Sequence, residues 1–152
     1  MIQLVDMRQA DIIAIACLER ASSQYPWLAS HYRETLGAEH NHAFIAQSQA
    51  GEWLGHGVLS IAADVAQLLN FVIHRRWQGQ GYAKQVLAAI IEQAVTRGAL
   101  CVQLELRASN KIAMRQYLQA GFVVDGKRHA YYPTGTQLRE DALLMSCHIN
   151  NI

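Results

Sequence analysis

Residues Trp77 to Lys84 read Trp-Gln-Gly-Gln-Gly-Tyr-Ala-Lys and stand between an apolar, strand-like run, Leu68 to Ile73, and an amphipathic stretch that continues to Gly98. No other junction constrains the chain as much. A glycine-rich turn that opens a helix aims several unpartnered backbone N–H groups and the positive end of the helix dipole at one spot, which makes it a ready anion site. Two common phosphate loops do not fit the residues present. The Walker pattern needs a hydroxyl residue directly after Gly-Lys, and Gly81 is followed by Tyr82, Ala83, Lys84 and Gln85. The dinucleotide fingerprint starts at Gly79 and Gly81 but puts Lys84 where a third small residue would let helix and strand approach. What remains is Gln-x-x-Gly-x-Gly/Ala, satisfied by Gln78, Gly81 and Ala83.

A chain of 152 residues is long enough for one well-buried core and short for two, so residues 1–152 read as a single domain. Hydrophobic residues make up 51%, charged residues 16%, and prolines number 2, a balance that fits a compact α/β chain and not a disordered one. The net charge of +1 gives no general pull toward nucleic acid or an anionic membrane, and neither partner is expected. Cys17, Cys101 and Cys147 are far apart and form no Cys-x-x-Cys pair, which points to free thiols in a reducing cytoplasm. Met1 to Met7 holds no apolar signal core and no run approaches about 18 apolar residues, so a soluble, unexported protein is expected.

Along the chain, Ile2 to Met7 alternates as a short strand, and Asp11 can cap a helix with Ile12, Ile15, Ala16 and Leu18 on one face. Tyr25-Pro26-Trp27 interrupts, and a second helix is expected from about Trp27 to Leu36, stopped by Gly37. Ala43–Gln47, Trp53–Ala62 and Val65–Ile73 read as strands. A helix from Gly81 to Arg97 carries Ala83, Leu87, Ile90 and Ala94 on its apolar face. Leu100 to Arg107 alternates, with Leu100, Val102, Leu104 and Leu106 opposite Cys101, Gln103, Glu105 and Arg107, and strand, helix and strand in succession imply a parallel crossover. Ser109 or Asn110 caps a further helix ending at Gly121, and Phe122–Tyr131 and Ala142–His148 close the order β-α-α-β-β-β-α-β-α-β-β. A strand edge near Cys147 is a candidate for weak homodimer contact; otherwise a monomer is expected.

Several residues could carry chemistry. Arg75, Arg76 and Lys84 flank the glycine turn, as a multiply phosphorylated ligand requires, although a solvated basic turn would look the same. Glu105 stands on the polar face of an apolar strand, either paired with a neighbour such as Arg107 or set in a cleft as a general base. Asn110 and Tyr117 share a stripe of one helix, about 10 Å apart, within reach of one extended ligand; helix capping and core packing beside Met114 and Leu118 are their plain alternatives. No metal is expected, since His40 and His42 lack partners at ligand spacing and the other histidines are scattered. Nothing in sequence supplies a base for Cys101.

The stretch Leu69–Met145 resembles, nearly without gaps, the ribosomal-protein-alanine N-acetyltransferases, the RimI-type branch of the GNAT superfamily. The resemblance rests on Gln78-Gly79-Gln80-Gly81-Tyr82-Ala83, on Leu104-Glu105-Leu106-Arg107-Ala108-Ser109-Asn110, on Tyr117 before Gly121-Phe122, on Tyr131-Tyr132-Pro133, and on Arg139-Glu140-Asp141-Ala142. Upstream, Tyr25-Pro26-Trp27 is similar to the family's Pro-Trp element. It implies an α+β GNAT fold, with a mixed, mostly antiparallel sheet of about seven strands, a parallel β-α-β crossover at the acetyl-CoA site and about four helices. It implies that Phe71, Val72 and Ile73 lie beside the pantetheine arm of acetyl-CoA, that Gln78, Gly79, Gln80, Gly81, Tyr82, Ala83 and Lys84 hold its pyrophosphate and that Asn110 touches it. Glu105 would accept the proton and Tyr117 donate one, with Trp27, Tyr131 and Tyr132 at the substrate groove. Two places depart from the pattern: Ile73-His74-Arg75 stands where Val-Asp-Pro is usual, and Ala130 where an asparagine is common.

The chemistry agrees with those roles. An amine attacks a thioester only when unprotonated, and an α-amine with pKa about 7.7 to 8.0 gives up its proton far more easily than a lysine at about 10.4. A carboxylate base therefore favours N-termini, a tyrosine can return a proton to the departing thiolate, and a backbone N–H of the Phe71–Ile73 strand can hold the developing oxyanion. The implied activity is acetylation of the N-terminal alanine of a ribosomal protein in the cytoplasm. An acetyltransferase for a small amine and a non-catalytic acyl-CoA-binding module are the alternatives.

Overall fold

The computed structural model of the protein describes residues 1–135 and 138–149. Among them, seven strands form one sheet: β1 (Ile2–Asp6), β2 (Asn41–Ser48), β3 (Trp53–Ala62), β4 (Val65–Ile73), β5 (Cys101–Arg107), β6 (Val123–Pro133) and β7 (Arg139–His148). The α-helices are α1 (Ile12–Ser22), α2 (Ala29–Leu36), α3 (Tyr82–Thr96) and α4 (Lys111–Gln119). Strand order is β1-β2-β3-β4-β5-β7-β6, and every neighbouring pair is antiparallel except β4–β5. This is the mixed α+β architecture that the sequence implies.

Alternation along β2 sorts the molecule into two cores, because successive side chains leave a strand on opposite faces. Ile45 packs with Ile12, Ile15 and Tyr32 under α1 and α2. Phe44 and Ala46 pack with Leu87, Ile90, Leu104 and Phe122 under α3 and α4. The second contact is close: a Cβ on Gly57 would stand 2.6 Å from Ile90 Cδ1, so a side chain there would force the Ile90 tip to move.

Local expectations are revised at four places. Asp11 does not cap α1; its carboxylate accepts the Arg8 N–H at 2.9 Å and closes a short 3-10 turn one step earlier. The second helix starts at Ala29, because the Leu28 N–H is taken by His31 Nδ1 at 2.9 Å and Leu28 becomes the cap. Leu100 precedes β5 and is 61% exposed, so alternation extended one residue too far. Cys147 is buried and β7 lies between β5 and β6, so the free edge belongs to β6; alternation identifies a strand's faces but not its rank in the sheet.

Candidate active site

The parallel pair β4–β5 holds together only over Val65↔Cys101, Ala66↔Val102 and Gln67↔Gln103. Past that point β4 stays with β3 as far as Ile73↔Gly55 and β5 stays with β7 as far as Arg107↔Ala142, so the two strands diverge. A bulge helps to turn β4 away: Val58 faces Asn70 and Leu59 faces Leu68, which leaves Leu69 as the extra residue. Facing backbone groups lose their sheet partners where the strands part, and a ligand with amides of its own can take them over. A groove of about 530 Å³ opens there, with Leu69, Gln103, Glu105, Arg128, Tyr131 and Tyr132 in its walls.

At one end of the divergence β4 leads through a 3-10 turn, Arg75–Trp77, into the glycine segment. Gly79 (φ +75°) and Gly81 (φ +85°) are both left-handed, and Gly81 caps α3. Any other residue there would bear roughly 1–2 kcal/mol of strain. Among the described residues no acceptor takes the N–H of Gly79, Gln80 or Gly81, and the free first-turn N–H groups of Tyr82, Ala83 and Lys84 follow directly. A Cβ at either glycine would meet nothing within 4 Å, so the cradle is open to a ligand. Lys84 and Arg75 make no ion pair among the described residues, whereas Arg76 leans toward Glu52 (3.8 Å) and over Trp77 (4.8 Å). A pyrophosphate fits these donors and charges. Gln78 is spent differently: its amide donates to the carbonyls of Ile73 (2.8 Å) and Ser22 (3.3 Å) and braces the turn.

Glu105 lies at the groove wall, its carboxylate one-third exposed and 3.2 Å from Arg128 Nη2. Arg107, its anticipated partner, turns instead to Glu140 at 3.4 Å. Tyr117 projects from α4 between Phe71 of β4 (ring centroids 6.2 Å apart) and Phe122 (5.6 Å). Burial pushes its phenol well above the usual tyrosine range, with Tyr132 adding to the shift, so the proton is retained. Among the described residues the Tyr117 hydroxyl has no hydrogen-bond partner, and only Asn41 Oδ1 is a sealed polar atom without one, so the hydroxyl reaches accessible space. Tyr132 is raised by burial first and then by the charge of Glu105. Asn110 caps α4, its Oδ1 accepting the Ala113 N–H at 3.2 Å. Along β4, Val72 and Ile73 are buried and Phe71 is half-buried, with the Phe71 N–H taken by Asn70 Oδ1 at 3.0 Å.

The opposite wall is built on β6. Between Arg128↔Ala142 and Tyr132↔Glu140, three residues of β6 oppose Asp141 alone. Asp141 holds this bulge by accepting the Ala130 N–H (2.9 Å) and pairing with His129 (3.1 Å) and Lys127 (3.7 Å). Those bonds and charges hold the Asp141 carboxyl below its usual range, the Ala130 bond foremost. Ala130 sits at φ +50°, where asparagine is far more at ease than alanine. The bulge presents Tyr131 and Tyr132 to the groove, edge to face at 5.0 Å. Trp27 does not join them; it packs against Tyr32 (5.2 Å) and His31 (6.1 Å). Tyr25 packs on β5 instead, its ring 3.3 Å from the Arg107 guanidinium, which stacks on Tyr132 from 4.7 Å and donates to the Pro133 carbonyl at 2.6 Å.

Sequence reading missed Tyr25, Arg128 and Glu19 as members of this region. Tyr25 was visible only as a neighbour of Trp27, and nothing local marks Arg128. Glu19 left a signal: Ile12, Ile15 and position 19 share the buried stripe of α1, so a carboxylate stands at a core position. Among the described residues no three His, Cys, Asp or Glu side chains are placed to hold a metal, and no helix is long and apolar enough to cross a membrane.

The sequence profile of the acetyltransferase (GNAT) family matches residues 12–122. The chain is 30% identical over 132 residues to the [ribosomal protein bS18]-alanine N-acetyltransferase of Haemophilus ducreyi, covering 87% of this chain and 90% of that one. With the enzyme of the same description from Escherichia coli K12 it shares 28% identity over 144 residues, 95% of each. The crystal structure of the ribosomal-protein-S18-alanine N-acetyltransferase from Escherichia coli superposes with a TM-score of 0.87 at 29% identity, covering 98% of this chain and 94% of that chain. A spermidine N-acetyltransferase from Vibrio cholerae, in complex with CoA and spermine, shares the fold (TM-score 0.83) at 16% identity over 99% of this chain and 96% of that one. The chain belongs to the GNAT acetyltransferase family and is an acetyl-CoA-dependent N-acetyltransferase.

Proposed function

We propose that the protein acetylates the α-amine of a protein N-terminus, foremost the N-terminal alanine of a small-subunit ribosomal protein. The observation that carries this reading is the open, tyrosine-walled groove ending at Glu105, on a chain related over almost its whole length to enzymes described by that substrate. Gly79 to Lys84 bind the pyrophosphate of acetyl-CoA, which supplies the activated acyl group, and the β4 edge at Phe71–Ile73 lies along the pantetheine arm. The arriving ammonium displaces Arg128 from Glu105, and Glu105 accepts its proton, directly or through water, as the amine adds to the thioester carbonyl. Tyr117, held protonated by burial, gives its proton to the departing thiolate and regains one from the second proton that the amine nitrogen sheds as the amide forms.

A short peptide with a free N-terminal alanine, set against the same peptide blocked at its N-terminus and carrying an internal lysine, tests the reading. The difference in amine pKa alone supports a preference of about 10² for the first at neutral pH. A higher kcat/KM for the lysine peptide, or for a polyamine assayed alongside, would overturn the N-terminal reading in favour of a small-amine enzyme. Acetyl-CoA binding without thiol release would leave a binding module.

A further inference from the structure

Behind the groove a set of polar side chains is buried that the proposed chemistry does not use. Glu19 of α1, Tyr32 of α2, His56 of β3 and His74, just after β4, are at most 2% exposed, and Asn70 of β4 joins them. A buried carboxylate is tolerated only if its charge is matched and its lone pairs are satisfied.

From the Trp53 carbonyl to His56 the hydrogen bonds run in one direction. The Trp53 carbonyl can only accept, so His74 donates to it from Nδ1 at 3.2 Å and its Nε2 is left as an acceptor. His56 Nδ1, 2.9 Å from that nitrogen, is then the donor. The other His56 nitrogen lies 2.9 Å from Glu19 Oε1, which already receives the Tyr32 hydroxyl and, at 3.0 Å, the Asn70 amide. His56 Nε2 also lies 2.8 Å from the Tyr32 hydroxyl, so Glu19, Tyr32 and His56 form one buried hydrogen-bonded set that ties α1, α2 and β3 together. Burial and the neighbouring His56 push His74 down to about 4, which keeps it neutral as this direction requires. Burial opposes the charge on Glu19, but hydrogen bonds from His56, Tyr32 and the Trp27 N–H outweigh it and hold the carboxyl below its usual range.

Two parts of the site are tied to this pair. Glu19 Oε2 accepts the Trp27 N–H at 2.5 Å, which anchors the loop that sends Tyr25 to Arg107. Asn70, donating to Glu19 and to Tyr32 (2.9 Å), turns its own oxygen to the Phe71 N–H, on the part of β4 that has already left β5. We propose that Glu19 and His56 are positioning residues that fix the distance between the acceptor loop and the cofactor strand. The proposal rests on the acetyltransferase reading above, with the Trp27 side of the groove taken as the acceptor side.

Nitrogen-15 spectra of the imidazoles in the wild-type protein at pH 7, with His56 assigned by loss of its signals in His56→Gln, test the pair without substrate. We expect Nδ1 of His56 to carry a proton, as the donor to His74; an unprotonated Nδ1 would break the chain of bonds and overturn the proposal. In kinetics, Glu19→Gln and His56→Gln should raise KM for the alanine peptide about tenfold while KM for acetyl-CoA stays within about twofold. A fall in kcat with both KM values unchanged is what simple destabilisation gives, and would count against positioning. If the wild-type enzyme turns over no peptide, the functional reading fails by itself. The amine it does acetylate then takes the peptide's place in the KM comparison, and the ring spectrum still judges the pair.

Discussion

The two ends of the cleft are made in different ways. The proposed cofactor end is a contiguous run, Gln78 to Lys84, whose donors are backbone N–H groups set by two left-handed glycines and a helix start. The proposed acceptor end is assembled from side chains of separate segments: Tyr25 after α1, Glu105 and Arg107 on β5, Arg128, Tyr131 and Tyr132 on β6, Glu140 and Asp141 on β7. A backbone-made site depends on conformation and is indifferent to most side chains, whereas a side-chain-made site depends on sheet register. Changes at one end should therefore read out differently from changes at the other.

The largest effect is expected at the reacting centre. Glu105→Gln and Tyr117→Phe should each lower kcat by about 10² to 10⁴ while leaving acetyl-CoA affinity unchanged by calorimetry, since each nearly isosteric change removes one proton transfer. Because burial raises the Tyr117 phenol, it stays protonated across the assay range, and the Tyr117→Phe deficit should be flat from pH 6 to 9. A deficit that shrinks as pH rises would remove the donor role. Normal turnover by Glu105→Gln over that range would return Glu105 to a plain ion pair with Arg128.

Next comes the cofactor end. Gly81→Val forces a β-branched residue to φ +85° and sets a side chain in the open cradle, a strain of roughly 1–2 kcal/mol that should weaken acetyl-CoA binding about tenfold. Peptide KM at saturating acetyl-CoA should not move. Equal loss toward both ligands would show that the two ends are not independent.

The smallest effect separates strain from function. Ala63, in the turn between β3 and β4, and Ala130, in the β6 bulge, are both left-handed, at φ +55° and +50°. Asparagine at either should relieve part of the strain and raise the denaturant midpoint by the equivalent of about 0.5–1 kcal/mol. At Ala63 nothing else should change, whereas Ala130→Asn should also alter peptide KM, because that bulge carries Tyr131 and Tyr132. A change in peptide KM from Ala63→Asn would show that the acceptor end senses the turn at the far end of the sheet.

Much of the fold could be read in advance because its signals are local. Trp53–Ala62 and Val65–Ile73 were bounded by turn residues and apolar runs, and α3 by its spacing and its glycine cap. Periodicity misled where a pattern outran its element, as at Leu100, or where a residue found a nearer partner, as Asp11 did with Arg8. The departure at His74 acquires a reason only in three dimensions. Its ring faces inward to His56 and the Trp53 carbonyl, contacts that no spacing in the sequence discloses.

The sequence by itself determined the element order, the glycine cradle and the candidacy of Glu105 and Tyr117, since each depends on a residue's own conformational range or chemistry within a short window. Tertiary structure alone decided that β4 and β5 part after Gln67, that Arg128 and not Arg107 meets Glu105, that Tyr25 and not Trp27 stacks on Arg107, and that Glu19 meets His56. The physical reason is common to all four. Each depends on which strands become neighbours and in what register, and that is settled by burying two apolar faces at once, a condition on the whole chain.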